Sequence, residues 1–298
     1  MNKKCQSFLS MSLIAEIRQV CQKYSIKPLR KRGQNFLINP KIYAKIIEAA
    51  ELKKDDIILE IGAGLGNLTR QLAERVKKVI AVEIDKRLIE ILKKQLADYR
   101  NIEIVQGDIR NFQFSIFNFQ INSVPTGHLT KGDKFQIPNL KIIGNIPYNL
   151  TGIILRKFLS EKLKPKLMVL MLQKEVAQRI VARPPKMSLL SVMVQFYGQP
   201  KIISYVSKNN FWPRPKVDSA ILRISTTNIQ IDEKKFFEVL RAGFSAPRKY
   251  LLNNLIKKSI IDKEQGEKIF RKLNLNLKIR AQELSVGDWI KLYNMMLI

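Results

Sequence analysis

Ile57-Ile58-Leu59-Glu60-Ile61-Gly62-Ala63-Gly64-Leu65-Gly66 decides the fold: a short apolar run breaks into alternating glycines. The run reads as a buried strand, and Leu68, Leu72 and Val76 then recur at helical spacing. Glycines between a strand and a helix let the backbone turn sharply and come close to a ligand. The next strand, Val79–Glu83, ends in an acid that can accept hydrogen bonds from both ribose hydroxyls of a nucleoside. Asp85 competes for that role. It directly precedes the helical run Leu88, Ile91, Leu92, Leu96, and it reads as the cap of that helix.

Outward from this core the same alternation continues. Ile102–Gln106, Lys141–Gly144 and Leu167–Leu172 read as further buried strands, which predicts an α/β fold with a mostly parallel sheet and helices on both faces. Ile202–Val206 and Ser219–Ile224 look like two more strands, separated by the proline-rich turn Phe211–Pro215. After Thr226 the strand-like runs thin out. Phe236, Phe237, Leu240 and Phe244 mark an amphipathic helix, and more helix follows. We therefore divide the chain into an N-terminal extension (1–29), an α/β domain (30–226) and a small helical domain (227–298). Asn111–Asn139 reads as a long inserted loop.

Composition narrows the function. The chain has 298 residues, 46% of them hydrophobic, enough to bury a sizeable core. Lys and Arg number 53 against 25 Asp and Glu, a formal net charge of +28 that points to a polyanionic partner. The competing reading of that excess is an organism whose proteins are all basic. Arg30, Lys31 and Arg32, then Arg214 and Lys216, then Arg248, Lys249, Lys257 and Lys258 are the phosphate-binding candidates. Any one of them alone reads as a solvated charge; the set reads as a footprint. Cys5 and Cys21 show neither metal spacing nor a disulfide framework, which suits a reducing cytosol. His128 is the single histidine, which argues against a histidine metal site or a Ser/His/Asp triad. No apolar run reaches the roughly 18 residues of a membrane span. The expectations are a cytoplasmic monomer without metal.

Three further features carry chemistry. A dinucleotide fingerprint would place glycine where this chain has Asn67, which disfavours a nicotinamide cofactor. The strand ending at Gln106 leads into Gly107-Asp108, whose carboxylate can accept from an adenine amine or simply cap a turn. Gly144-Asn145-Ile146-Pro147-Tyr148-Asn149 ends the fourth strand. Asn145 offers a side-chain acceptor, Pro147 fixes the turn, and Tyr148 offers a face for a flat base. An adenine amine is a poor nucleophile because its lone pair is delocalised. Two acceptors holding its hydrogens would draw the nitrogen toward tetrahedral geometry.

These segments together resemble class I adenine-N6 methyltransferases and, more narrowly, the bacterial 16S (small-subunit) rRNA adenine-N6,N6 dimethyltransferases. Gly33-Gln34-Asn35-Phe36-Leu37, Leu172–Ala177, Pro213–Ser219 and Phe244–Asn254 look like further segments of that family, in the family's order. The resemblance implies a Rossmann-like sheet of seven strands, S-adenosyl-L-methionine as cofactor, and 16S rRNA or a small-subunit precursor as partner. It implies cofactor contacts from Asn35, Leu37, Gly62, Gly64, Glu83, Asp108 and Asn145. Asn145, Pro147, Tyr148 and Phe211 would be catalytic, with Tyr148 and Phe211 stacking on an everted adenine and Trp212 as a substitute stacker. Arg248 and Lys249 would bind RNA. The chain departs from the family in its extension, in the long 111–139 loop, and at Pro247, where the family usually shows arginine. Alternatives are a large-subunit rRNA methyltransferase and an assembly factor whose binding outweighs its catalysis.

Overall fold

A computed structural model describes residues 12–29, 33–112, 137, 139–160, 164–227 and 229–297. The Arg30–Arg32 cluster, His128, Cys5 and nearly all of the 111–139 loop therefore lie outside the described residues.

The sheet is built around β2 (Ile57–Ile61), every residue of which is buried, as a strand covered on both faces requires. It pairs in parallel with β3 (Lys78–Glu83) and β5 (Leu140–Asn145). β3 in turn pairs in parallel with β4 (Ile102–Gln106), and β5 with β6 (Leu167–Gln173). Seven strands run in the order β4-β3-β2-β5-β6-β9-β7, with β7 spanning Gly198–Val206 and β9 Ser219–Thr226. All seven strands expected from the sequence are present, each within a few residues of its expected ends.

The register gathers the chemistry-bearing motifs at one end. Ile61 lies opposite both Val82 and Gly144, and Glu83 opposite Gln106, so the glycine loop, Glu83, Gly107-Asp108 and Asn145 all follow the carboxyl ends of adjacent strands. In an open α/β sheet that edge is where ligands bind. Gly144 permits the close approach of β5 to β2: a Cβ there would meet the Ile61 carbonyl oxygen at 2.6 Å.

Helices α2 (Pro40–Ala50), α3 (Asn67–Ala73), α4 (Lys86–Gln95) and α5 (Thr151–Ser160) connect these strands. A helix also lies where only an extension was expected. In α1 (Leu13–Lys23), Ile17 and Cys21 are buried, and with Ile26 they join a cluster containing Phe36, Leu65, Leu88 and Ile91. Leu13, Ile17 and Cys21 recur four residues apart, the spacing of one helix face. A second, two-stranded ladder was not foreseen at all. β1 (Phe36–Leu37) pairs antiparallel with β8 (Phe211–Trp212), Phe36 opposite Trp212 and Leu37 opposite Phe211.

Contacts divide the chain into two compact units, Met1–Lys174 with Ile202–Ile224, and Glu175–Lys201 with Ser225–Ile298. The second unit holds most of α6 (Lys174–Ile180), and α7 (Leu189–Tyr197), with α8 (Glu233–Gly243), α9 (Leu251–Lys257), α10 (Lys263–Lys272) and α11 (Val286–Met296). Aromatic packing explains why residues 175–201 group with the C-terminal helices rather than with the sheet to which the sequence reading gave them. Phe196 stacks on Phe236 with centroids 4.7 Å apart, and Tyr197 on Phe237 at 5.5 Å. Among the described residues no helix is long and apolar enough to cross a membrane.

Candidate active site

The cleft at the carboxyl ends of β2, β3 and β5 is lined by Asn35, Leu37, Gly62, Gly64, Glu83, Asp108, Asn145 and Pro147, among others. All seven residues expected to touch a cofactor thus border one cavity. Gly64 holds a φ of +60°, a conformation costly for any residue with a Cβ, and its N–H donates to Glu83 Oε2 at 3.0 Å. The other Glu83 oxygen accepts from the N–H groups of Ile84 (2.9 Å) and Asp85 (3.0 Å). These three donors fix the carboxylate at the strand tip, while burial raises its pKa above the usual carboxylate range.

Asp85 does what a cap does. Its Oδ1 accepts from the Arg87 N–H at 3.1 Å, and its Oδ2 accepts from Gln34 Nε2 at 2.9 Å. Hydrogen bonds from the Arg87 guanidinium hold its pKa far below the usual range. Gln34 thereby ties the Gly33–Leu37 segment to the start of α4. Asp108 borders the cleft as expected and also makes the local turn: its Oδ1 accepts from the Arg110 N–H at 2.9 Å, and Arg110 pairs with the carboxylate at 2.5 Å.

The catalytic candidates meet the cofactor candidates through one hydrogen bond. Asn145 Nδ2 donates to the Asn35 carbonyl at 3.1 Å, bridging positions 110 residues apart in sequence. That bond leaves Asn145 Oδ1 as the acceptor. Pro147 starts a 3-10 turn, Tyr148–Leu150, and the half-buried Tyr148 is fixed by a 2.9 Å hydrogen bond between its hydroxyl and Ser219 Oγ.

Phe211 departs from expectation. It is only 4% exposed and belongs to the core cluster, so its ring offers no open face for stacking. The β1–β8 ladder draws it in by pairing it with Leu37, whose carbonyl accepts from the Tyr43 hydroxyl at 3.0 Å. Trp212 takes the structural one of its two candidate roles, stacked on Phe36 at 6.5 Å with the Arg18 guanidinium 5.7 Å from its ring centroid.

Two further cleft residues carry no expected role: Ile84, and Glu60 at the head of the glycine motif. Ile84 is 46% exposed beside Glu83 and supplies an apolar face. Glu60 is 1% exposed, and its Oε2 has no hydrogen-bond partner. Burial pushes this carboxyl up to about 8. Thr69 lies close enough to favour the charged form, yet no hydrogen bond of normal geometry joins them. The signal for Glu60 was an acid inside an otherwise apolar strand.

Sheet order, strand-tip cleft and the Asn145–Tyr148 turn together define a class I methyltransferase. The comparisons agree. Residues 27–297 match the family model described as ribosomal RNA adenine dimethylase. "Ribosomal RNA small subunit methyltransferase A" of Dehalococcoides mccartyi (strain ATCC BAA-2100 / JCM 16839 / KCTC 5957 / BAV1) is 38% identical over 285 residues, covering 94% of this chain and 92% of its own. The protein of the same name from Clostridium botulinum (strain ATCC 19397 / Type A) is 37% identical over 281 residues, covering 92% and 96%. A dimethyladenosine transferase from Plasmodium falciparum superposes with a TM-score of 0.72 at 28% identity, covering 88% of this chain and 98% of that one. The 23S rRNA methyltransferase ErmE superposes at 0.69 with 26% identity, covering 89% and 100%. The chain belongs to the ribosomal RNA adenine dimethylase family, and it is an enzyme that methylates adenine in ribosomal RNA.

Proposed function

We propose that this enzyme transfers methyl groups from S-adenosyl-L-methionine to the N6 amines of two adjacent adenines in a 3′-terminal hairpin loop of 16S rRNA, dimethylating both. It acts as a cytoplasmic monomer during small-subunit assembly. The supporting observation is the Asn145–Asn35 bond, which sets the expected amine acceptor against the segment expected to cover the cofactor.

The cleft suits that cofactor. Glu83 presents a carboxylate for ribose hydroxyls, Ile84 a face for the adenine ring, and the orphaned Glu60 Oε2 a partner for the amino-acid ammonium. When bound, the cofactor supplies an electrophilic methyl on a sulfonium. The protein supplies orientation. Asn145 Oδ1 and the backbone carbonyl beside Pro147 accept the two amine hydrogens, and Tyr148 stacks on the everted base. Phe211 supports the site from within the core. The test is mass spectrometry of unmethylated 16S rRNA incubated with protein and labelled cofactor. Labelled dimethyladenosine is expected, and its absence would overturn the reading. The ErmE superposition favours a large-subunit substrate as the second reading, and locating the label in digested rRNA separates the two.

Arg248 and Lys249 are exposed in the turn between α8 and α9, and Asn254 closes that turn by donating to the carbonyls of Gly243 (2.7 Å) and Ala246 (3.0 Å). Neutralising both is expected to reduce the salt dependence of RNA binding by about two phosphate contacts. An unchanged slope removes the C-terminal unit from the footprint.

Glu60 makes a pH prediction. Its carboxyl titrates near 4.5 in the unfolded chain and near 8 in the fold, so the folded state binds the extra proton across that window. Stability therefore falls as pH rises from about 4.5 to about 8, and Glu60→Gln should flatten that part of the curve. An ammonium at Oε2 favours the carboxylate, so cofactor affinity should rise toward pH 8 in the wild type and not in the variant. Denaturation midpoints and cofactor titrations across pH measure both; parallel curves for the two proteins would remove Glu60 from this role.

A further inference from the structure

Tyr205 is 52% exposed near the end of β7, the edge strand of the sheet. Its surroundings are basic. The Lys174 ammonium lies 5.2 Å from the ring centroid. Lys208 follows a few residues on, and its ammonium lies 3.5 Å from the Lys216 backbone carbonyl. Arg214 and Lys216 are exposed in the same turn region.

This patch is joined to the proposed base pocket by a short run of bonds. The Tyr148 hydroxyl bonds Ser219 Oγ at 2.9 Å. The neighbouring Asp218 accepts from the Lys174 N–H through its carbonyl (3.0 Å) and from the Lys208 N–H through its carboxylate (3.0 Å). Backbone donors hold Asp218 beside the basic side chains, whose charges outnumber its single carboxylate. An aromatic face flanked by cations is what a splayed nucleotide needs: the ring stacks on the base without regard to sequence, and the lysines neutralise its phosphates.

We propose that Tyr205, with Lys174 and Lys208, forms a second stacking platform that holds a nucleotide flanking the target adenine in a single-stranded RNA loop. The proposal rests on the RNA-methylating reading of the Tyr148 pocket and extends its substrate site along the strand. A flanking base held at Tyr205 would keep the loop splayed while the target adenine is out of its stack.

The experiment is a fluorescence titration of the full-length protein with an unmethylated RNA hairpin carrying 2-aminopurine on either side of the target adenine. Wild-type protein should quench the probe at one flank. Tyr205→Ala should lose that quenching and weaken binding by about 5- to 150-fold, the span of one base–aromatic stack, whereas Tyr205→Phe should keep both. Lys174→Gln and Lys208→Gln should each lower the salt slope by about one. On an RNA abasic at the quenched position, wild type and Tyr205→Ala should bind alike. Unchanged quenching and affinity in Tyr205→Ala, or an equal loss on the abasic RNA, would overturn the platform. Methyl transfer to the same hairpin reads the catalytic assignment separately. Transfer by wild type with no Tyr205-dependent binding sinks the platform alone, and Tyr205-dependent binding without transfer sinks the catalytic assignment alone.

Discussion

Asn145→Ala is expected to lower the turnover of methyl transfer by on the order of 10²- to 10³-fold, the usual effect of deleting one preorganised polar group aimed at a reacting atom. The side chain has two jobs, and the variants separate them. Its Nδ2 donates to the Asn35 carbonyl at 3.1 Å, and its Oδ1 is left to accept from the substrate amine. Alanine loses both. Asn145→Asp keeps an acceptor but sets a carboxylate against the Asn35 carbonyl, so its rate should lie between the other two. If the principal role is at the amine, turnover collapses while the cofactor dissociation constant moves only a few-fold. If instead the Asn35 bond is the principal role, cofactor affinity falls in step with turnover, and Asp does no better than Ala. Single-turnover rates combined with equilibrium cofactor titrations decide between these outcomes.

The sheet was legible because buried parallel strands advertise themselves. Ile57–Ile61 and Leu167–Leu172 are nearly unbroken apolar runs, and every expected strand is present. The cofactor edge was legible for a related reason: the motifs sit at strand ends, and parallel register alone brings Glu83, Asp108 and Asn145 to one cleft. What stayed hidden depends on pairings between distant segments too short to carry a pattern. β1 and β8 are each two residues long, and no periodicity marks them. Yet their pairing buries Phe211 and turns Trp212 into a platform for Phe36 and Arg18. The grouping of residues 175–201 with the C-terminal helices escaped for the same reason, because it rests on rings that meet although strands β7, β8 and β9 lie between them in sequence. Ile84 and Glu60 went without a role on chemical grounds. An exposed isoleucine and a buried acid both contradict the binary pattern, and such contradictions tend to mark function.

Asp56→Ala is the largest expected loss of stability, about 3–5 kcal/mol, because it strands a buried cation. Lys141 is 7% exposed on β5, and its ammonium pairs with Asp56 Oδ2 at 2.7 Å. It also donates to the carbonyls of Ala50 (3.1 Å) and Glu51 (2.6 Å), which close the C-terminal end of α2. Asp56, 2% exposed at the entry to β2, accepts from the Lys53 N–H at 2.7 Å as well. One ion pair therefore pins α2 and the starts of β2 and β5 together, at the end of the sheet away from the cleft. Truncating the acid removes the countercharge but leaves the ammonium facing two carbonyls in a dry site, whereas removing both charges relieves that penalty. Asp56→Ala/Lys141→Met should thus recover much of the stability lost in Asp56→Ala alone. Denaturant unfolding of the wild type, both single variants and the double variant measures the coupling; additive losses would mean the pair is solvated and weak. The contrast with Asn145 gives the sharper test. Lys141 and Asn145 lie on the same strand, yet Asp56→Ala should leave turnover per folded molecule near the wild-type value at low temperature, while Asn145→Ala should stay folded with its turnover sharply reduced. A strand that transmitted strain from its buried end to its catalytic tip would show both defects in both variants.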